Sequence, residues 1–154
     1  MYLLAESKAD IHCSVATAFA FATNMENFGE WFPSVLSIES ANELNHGEVG
    51  KKYLEVVSVP LRRMQKITLT VVESKQNHHF VTEGAFPPLL PRMEILFSNT
   101  GAETCQITWR MFSRNMSALA KFTILPLARH IMKKRAIIGV SRLKQKLESR
   151  KNLT

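Results

Sequence analysis

Between about residues 34 and 113 the chain alternates apolar and polar positions in short runs, and from residue 125 onward its apolar positions step by three and four instead. The first period belongs to half-buried strands and the second to an amphipathic helix. Ile67, Leu69 and Val71 alternate with Thr68 and Thr70. Ser34 to Ala41, Tyr53 to Val59, Phe80 to Phe86, Met93 to Ser98 and Cys105 to Phe112 read as further strands. Gly47 and Gly50, Pro60, Asn77 and Asn99-Thr100-Gly101 supply turn chemistry between them. The pattern predicts an antiparallel meander of six strands.

Before the meander, a short run from Leu3 to Ala9 leads into Ile11-His12-Cys13-Ser14. Val15, Ala18, Phe19 and Ala22 then fall at i, i+3, i+4 and i+7, which predicts a helix over 15–23 with Ser14 as its N-cap. Phe28 to Phe32 predicts a brief turn or second short helix, ended by Pro33. After the meander, Leu125, Ala128, Met132, Ala136, Val140, Leu143 and Leu147 form one stripe of a long helix over about 126–150, widened by Ile131 and Ile138. Lys133, Lys134, Arg142, Lys144 and Lys146 are then expected to point away. Pro126 lacks an amide donor and crowds the carbonyl of Phe122, which predicts a kink or break there with a short helix before it.

Composition adds boundaries. The chain has 154 residues, 45% hydrophobic and 21% charged, which places it among globular proteins and predicts one domain over residues 1–154. Its longest uncharged stretch, between Asp10 and Glu26, is shorter than the ~20 apolar residues a membrane helix needs and carries Ser, Thr and Asn. The start, MYLLAESKAD, has no basic region ahead of an apolar one, so no secretory signal is read and a cytoplasmic location is expected. Cys13 and Cys105 are far apart in sequence, with no CxxC and no histidine at ligand spacing. They read as small buried or half-buried thiols in a reducing compartment, and neither a metal nor a cofactor is expected.

The net charge of +7 is concentrated at one end: residues 117–154 hold ten Lys or Arg (Lys121, Arg129, Lys133, Lys134, Arg135, Arg142, Lys144, Lys146, Arg150, Lys151) against one acid, Glu148. Such a segment is either the solvated face of an amphipathic helix or a surface for an anionic partner. Nucleic acid is not expected, because the aromatic interleaving and recognisable modules of such binders are absent. An anionic membrane surface remains a candidate partner of the basic C-terminal helix.

Taken in order, a strand, two short helices, a meander and a long helix make an α+β plan in which a curved antiparallel sheet wraps around the C-terminal helix. On Ile11 followed by a short helix with Phe19, Asn24…Asn27…Trp31-Phe32-Pro33, Gly47…Gly50, Thr104…Ile107-Thr108-Trp109, and the ending Leu143-Lys144…Leu147-Glu148, the chain resembles the helix-grip (SRPBCC) superfamily. That group includes START lipid-transfer domains, bacterial polyketide cyclase and dehydrase-like proteins, coenzyme Q-binding proteins and the birch-pollen allergen family. The resemblance spans nearly the whole chain and contains no catalytic signature. It implies a cavity between the concave face and the C-terminal helix. Its entrance would be formed by the connections Val59-Pro60-Leu61-Arg62, Phe86-Pro87-Pro88-Leu89-Leu90-Pro91 and Ser113-Arg114-Asn115-Met116.

Within that plan, alternation nominates cavity walls: Ile67, Leu69 and Val71; Phe80; Met93, Ile95 and Phe97; Ile107, Trp109 and Met111; and Met132, Ala136 and Val140 from the helix. Phe86, Leu89 and Met116 are expected at the mouth, and Gln65 and Arg63 precede Ile67 in phase and could reach it. The same residues also describe a filled core, and only the resemblance argues for a hollow one. Catalytic chemistry is thin. His78-His79 read as a solvated turn, His12 and His46 as surface, and Gly47-Glu48-Val49-Gly50 lacks the Lys and Ser/Thr of a phosphate loop. His130 and Arg129 lie beside the stripe, where they could meet a ligand's polar head. The expected function is binding or transport of a small hydrophobic ligand, such as a lipid, quinone or polyketide-like compound, with no catalytic residue assigned. The alternative is a polyketide cyclase/aromatase-like enzyme, which two or more convergent ionisable groups inside the cavity would favour.

Overall fold

A computed structural model describes residues 1–61 and 63–152; Arg62, expected at the mouth, and the Lys151 side chain lie outside the described residues. Seven strands, β1 (Tyr2–Ile11), β2 (Val35–Ser40), β3 (Lys52–Val59), β4 (Arg63–Lys75), β5 (His79–Gly84), β6 (Pro91–Gly101) and β7 (Thr104–Ser113), form one sheet. Their order is β1-β7-β6-β5-β4-β3-β2. All pairings are antiparallel. The six expected strands are therefore a true meander, and the N-terminal run adds the seventh by returning to pair with β7. Register shifts at Leu3/Ala5, Val35/Ser37, Val71/Glu73 and Asn99/Gly101 bend the strands and curve the sheet. Gly50, at φ +93, makes the turn into β3 that a side chain would disfavour.

Alternation decides which face is concave. In β4, Ile67, Leu69 and Val71 are buried while Lys66 and Thr68 are exposed. Across the sheet Phe80 pairs with Ile95, Ile95 with Trp109, and Met93 with Met111, so one apolar layer runs through neighbouring strands. The convex face carries charge instead. There Arg92 donates to Glu73 (2.8 Å), Glu83 (2.9 Å) and Glu94 (3.1 Å).

Helix α1 (Val15–Thr23) starts where Ser14 Oγ accepts the Thr17 N–H at 3.2 Å. A single 3-10 turn, Met25–Asn27, leads into α2 (Phe28–Trp31). After β7 come α3 (Ala118–Phe122) and the 29-residue α4 (Ile124–Asn152). The break falls at Thr123 (φ −117, ψ −82) rather than at Pro126. Pro126 then occupies the first turn of α4, where an amide has no intrahelical partner to lose.

Leu125, Ala136, Val140, Leu143 and Leu147 of α4 are buried against the concave face. Ile138 does not widen this stripe: it stands two positions from both Ala136 and Val140, on the opposite side of the helix, and is 44% exposed. Lys144 does not point away either. Its ammonium donates to the Asp10 carbonyl and to Glu148 (2.8 Å), fastening α4 to the end of β1. The two cysteines, distant in sequence, meet where β1 ends and β7 begins. Both are buried, and burial with Cys13 beside it pushes the Cys105 thiol up to about 12. Among the described residues no helix is long and apolar enough to cross a membrane.

Candidate ligand cavity

The grip is solid at one end and hollow at the other. At the solid end, Phe19 of α1 meets Phe97 edge-on at 5.1 Å, and Phe32 stacks on Trp109 at 5.0 Å. At the open end, α4 stands off from β3, β4 and β5 and leaves a cavity of about 170 Å³ for the centre of a water-sized sphere. A single water needs roughly 10–15 Å³ on that measure, so the space is of ligand size.

Phe32 to Val35, the β3 residues Val57 and Val59, Ile67 and Leu69 of β4, Met93 and Met111 form the apolar wall. Ala128, Ile131 and Met132 of α4 close it from the other side, and Pro60, Phe86, Leu89 and Pro91 rim the opening. Of the residues nominated from the sequence, Ile67, Leu69, Phe86, Leu89, Met93, Met111 and Met132 line this space. The others are elsewhere. Phe80, Ile95, Phe97, Trp109 and Ala136 share the inward phase but are buried in the solid end, where Phe19 of α1 covers Phe97 and Phe32 covers Trp109. Val71, Ile107 and Val140 are buried in that same core. Gln65, half-buried, is in phase with Ile67 yet outside the lining. Met116 is 53% exposed, just before the Ser117 cap turns the chain into α3.

The expected third mouth connection straps the opening instead of lining it. Ser113 Oγ donates to the Leu89 carbonyl, Asn115 Nδ2 to the Pro88 carbonyl (2.7 Å) and the Arg114 guanidinium to the Gly84 carbonyl (2.7 Å). These bonds hold the Pro-rich loop in place with its apolar side chains over the entrance.

Two ionisable residues in the lining were missed. Glu55 of β3 is 6% exposed, and its Oε2 has no hydrogen-bond partner. Burial alone pushes its carboxyl up to about 7. The signal was present: Tyr53, Glu55, Val57 and Val59 alternate on one face, so a strand with an inward Tyr53 must turn Glu55 inward as well. Arg135, half-buried, follows Ala128 and Met132 at helical spacing and lines the same cavity. Desolvation lowers its pKa, and among the described residues it pairs with no carboxylate. Thr82 adds a buried hydroxyl-bearing side chain. The site thus combines an apolar wall with a carboxyl able to give or take a proton near neutrality and a cation able to donate hydrogen bonds.

The histidines stay outside. His130 and Arg129 line a separate shallow depression with Tyr2, Pro126 and Lys133. His46 Nδ1 lies 2.6 Å from the Tyr53 hydroxyl, and His79 lies 3.8 Å from Glu73.

Against known families, the sequence profile described as polyketide cyclase / dehydrase and lipid transport matches residues 4–148. The chain belongs to this family. No curated protein matches the sequence. Solved structures share the fold of this cyclase/dehydrase and lipid-transport family member at low identity. A protein from Thermus thermophilus superposes with a TM-score of 0.73 at 10% identity, over 94% of this chain and 97% of that one. The Zhui aromatase/cyclase from Streptomyces sp. R1128 gives 0.69 at 12% identity, over 94% and 93%. A START superfamily protein from Mycobacterium smegmatis gives 0.66 at 12% identity, over 97% of both chains. At these identities the likeness establishes the START-like, helix-grip fold.

Proposed function

We propose that this protein binds a small hydrophobic ligand, of lipid, quinone or polyketide-like character, in the cavity between the concave face and α4. The observation that carries the reading is an apolar, ligand-sized space with few polar side chains in its walls, the usual composition of small-molecule sites. Native mass spectrometry of freshly purified protein tests it. An apolar compound retained in the folded protein and lost on denaturation is the expected result; no adduct, together with no uptake of added apolar probes, would sink the reading.

A cyclase-like reading has its own support in the presence of both Glu55 and Arg135 in the cavity, a proton carrier and a cation that could stabilise enolate charge. Turnover of a poly-keto thioester mimic, abolished in Glu55→Gln, would favour it over carriage alone. Delivery to an anionic membrane surface is supported by charge and exposure at the open end. Leu119, Phe122 and Leu127 are exposed on α3 and the start of α4, with Lys121, Arg129 and Lys133 interspersed.

A further inference from the structure

Glu55 is the anomaly of the cavity. Strand β3 lies between β2 and β4, and Glu55 faces Ile38 on one side and Ile67 on the other. Neither neighbour can bond a carboxyl. From α4 the cavity receives Ala128, Ile131, Met132 and Arg135; from the β2 side Ser34 and Val35; from β5 Thr82. Arg135 is therefore the other charged group in the lining, and it makes no ion pair with Glu55. A dry carboxyl oxygen without a partner is costly to keep in a core, and an apolar residue there would pack as well. Its neighbours leave one direction open, into the cavity.

We propose that the cavity selects a neutral, mainly apolar molecule bearing a carbonyl oxygen, which accepts a hydrogen bond from the carboxyl of Glu55. The inference rests on the binding reading above and adds the chemical class of the ligand. A cationic ligand is disfavoured by Arg135 in the same space. An anionic one must itself be stripped of water to enter, a cost that pairing with Arg135 offsets only in part, and it is repelled by Glu55 once that carboxyl ionises. A neutral carbonyl meets donors only: the Glu55 hydroxyl when protonated, the Arg135 guanidinium, and the Thr82 hydroxyl.

Three probes of one shape test this: 2-acetylnaphthalene, 2-ethylnaphthalene, which lacks the oxygen, and 2-naphthoate, which is anionic. The two neutral probes do not titrate, so any change of their relative affinity with pH belongs to the protein. At about pH 5.5 the wild type is expected to bind the ketone about tenfold more tightly than the hydrocarbon, the worth of one net hydrogen bond. That preference should shrink as the pH is raised through about 7, where Glu55 ionises. Glu55→Gln, which keeps a donor, should retain the preference with no pH dependence. Glu55→Leu should lose it while holding the hydrocarbon at least as well. Equal affinity for the two neutral probes at every pH in the wild type would overturn the inference and leave the binding reading standing. So would tightest binding of 2-naphthoate that is lost in Arg135→Met. Failure of all three probes to bind would overturn the binding reading itself.

Discussion

The Phe32 ring lies directly against the backbone of Gly139 in α4: a Cβ placed on residue 139 would stand 2.8 Å from Cδ2 of the ring. Phe32 also stacks on Phe28 (5.0 Å, 10°) and on Trp109 (5.0 Å, 29°) and lines the cavity. One aromatic ring thus divides the solid end of the grip from the hollow end, and the absence of a side chain at Gly139 lets the helix close on it.

Gly139→Ala weighs two opposed effects. Alanine favours a helix interior by about 1 kcal/mol over glycine. Overpacking a fixed ring costs about 1–3 kcal/mol, and Phe32 is held on two faces by other rings. The variant is expected to be destabilised by about 1 kcal/mol in urea unfolding and to bind apolar probes several-fold more weakly as Phe32 shifts toward the cavity. A stabilised variant with unchanged binding would contradict this account of the close approach.

Glu55 sets a pH dependence of known sign. Its folded pKa of about 7 lies above the ordinary 4.5, so the folded state holds the proton more tightly than the unfolded chain. The stabilisation is complete below the unfolded value and is lost as pH rises through the folded one. At about 1.4 kcal/mol per unit the loss comes to about 3 kcal/mol. Glu148 and Glu73, whose pKa values are lowered, slope the opposite way, so the comparison must be between variants. Relative to wild type, Glu55→Gln should gain stability steadily between about pH 4.5 and 7 and then level off, as measured by chemical denaturation across that range. A gap that stays constant with pH would show that the Glu55 carboxyl titrates alike in the folded and unfolded chains, with no shift imposed by the cavity.

Arg92 holds three carboxylates on the convex face, with its side chain 15% exposed. Its hydrogen bond and charge keep Glu73 below the usual carboxylate range. That contribution is present above the unfolded carboxylate pKa and lost as pH falls through the folded one. Arg92→Met should therefore destabilise by about 2 kcal/mol near pH 7, where Glu73 and Glu94 lose this partner and Glu83 keeps only Arg114, at 3.3 Å. The loss should be smaller at about pH 3, because falling pH protonates Glu73 and removes its attraction to the guanidinium. Denaturant midpoints at the two pH values decide; an equal loss at both would assign the effect to packing of the arginine stem.

Phe122, 85% exposed, and Leu119, 76% exposed, flank Lys121 on α3. Exposed charges act over roughly 8 Å at physiological salt, so attraction to an anionic bilayer should weaken as salt rises. Co-sedimentation is expected to show binding to anionic vesicles at low salt, less to neutral ones, and a several-fold reduction in Phe122→Ser. Equal binding to both vesicle types, or none to either, would remove the electrostatic part of the proposal.

The alternation of Ile67, Leu69 and Val71 and the stepping of Leu125 to Leu147 determined, from the chain alone, a curved antiparallel sheet and one long helix against it. Periodicity records which face of an element turns inward, and that was enough for the six-strand meander, the limits of α1 and the Ser14 cap. It does not record how far the opposing element stands. Phe97 and Met93 share one strand and one phase, yet Phe97 is sealed by Phe19 while Met93 lines open space. The same limit hid the meeting of Cys13 with Cys105, since pairing of β1 with β7 is a long-range event that local pattern does not encode. Glu55 was legible in phase but not in consequence. Only the packing of β2, β4 and α4 around it made an ordinary strand carboxyl into a dry, unpartnered group facing a cavity, because desolvation depends on every neighbour at once.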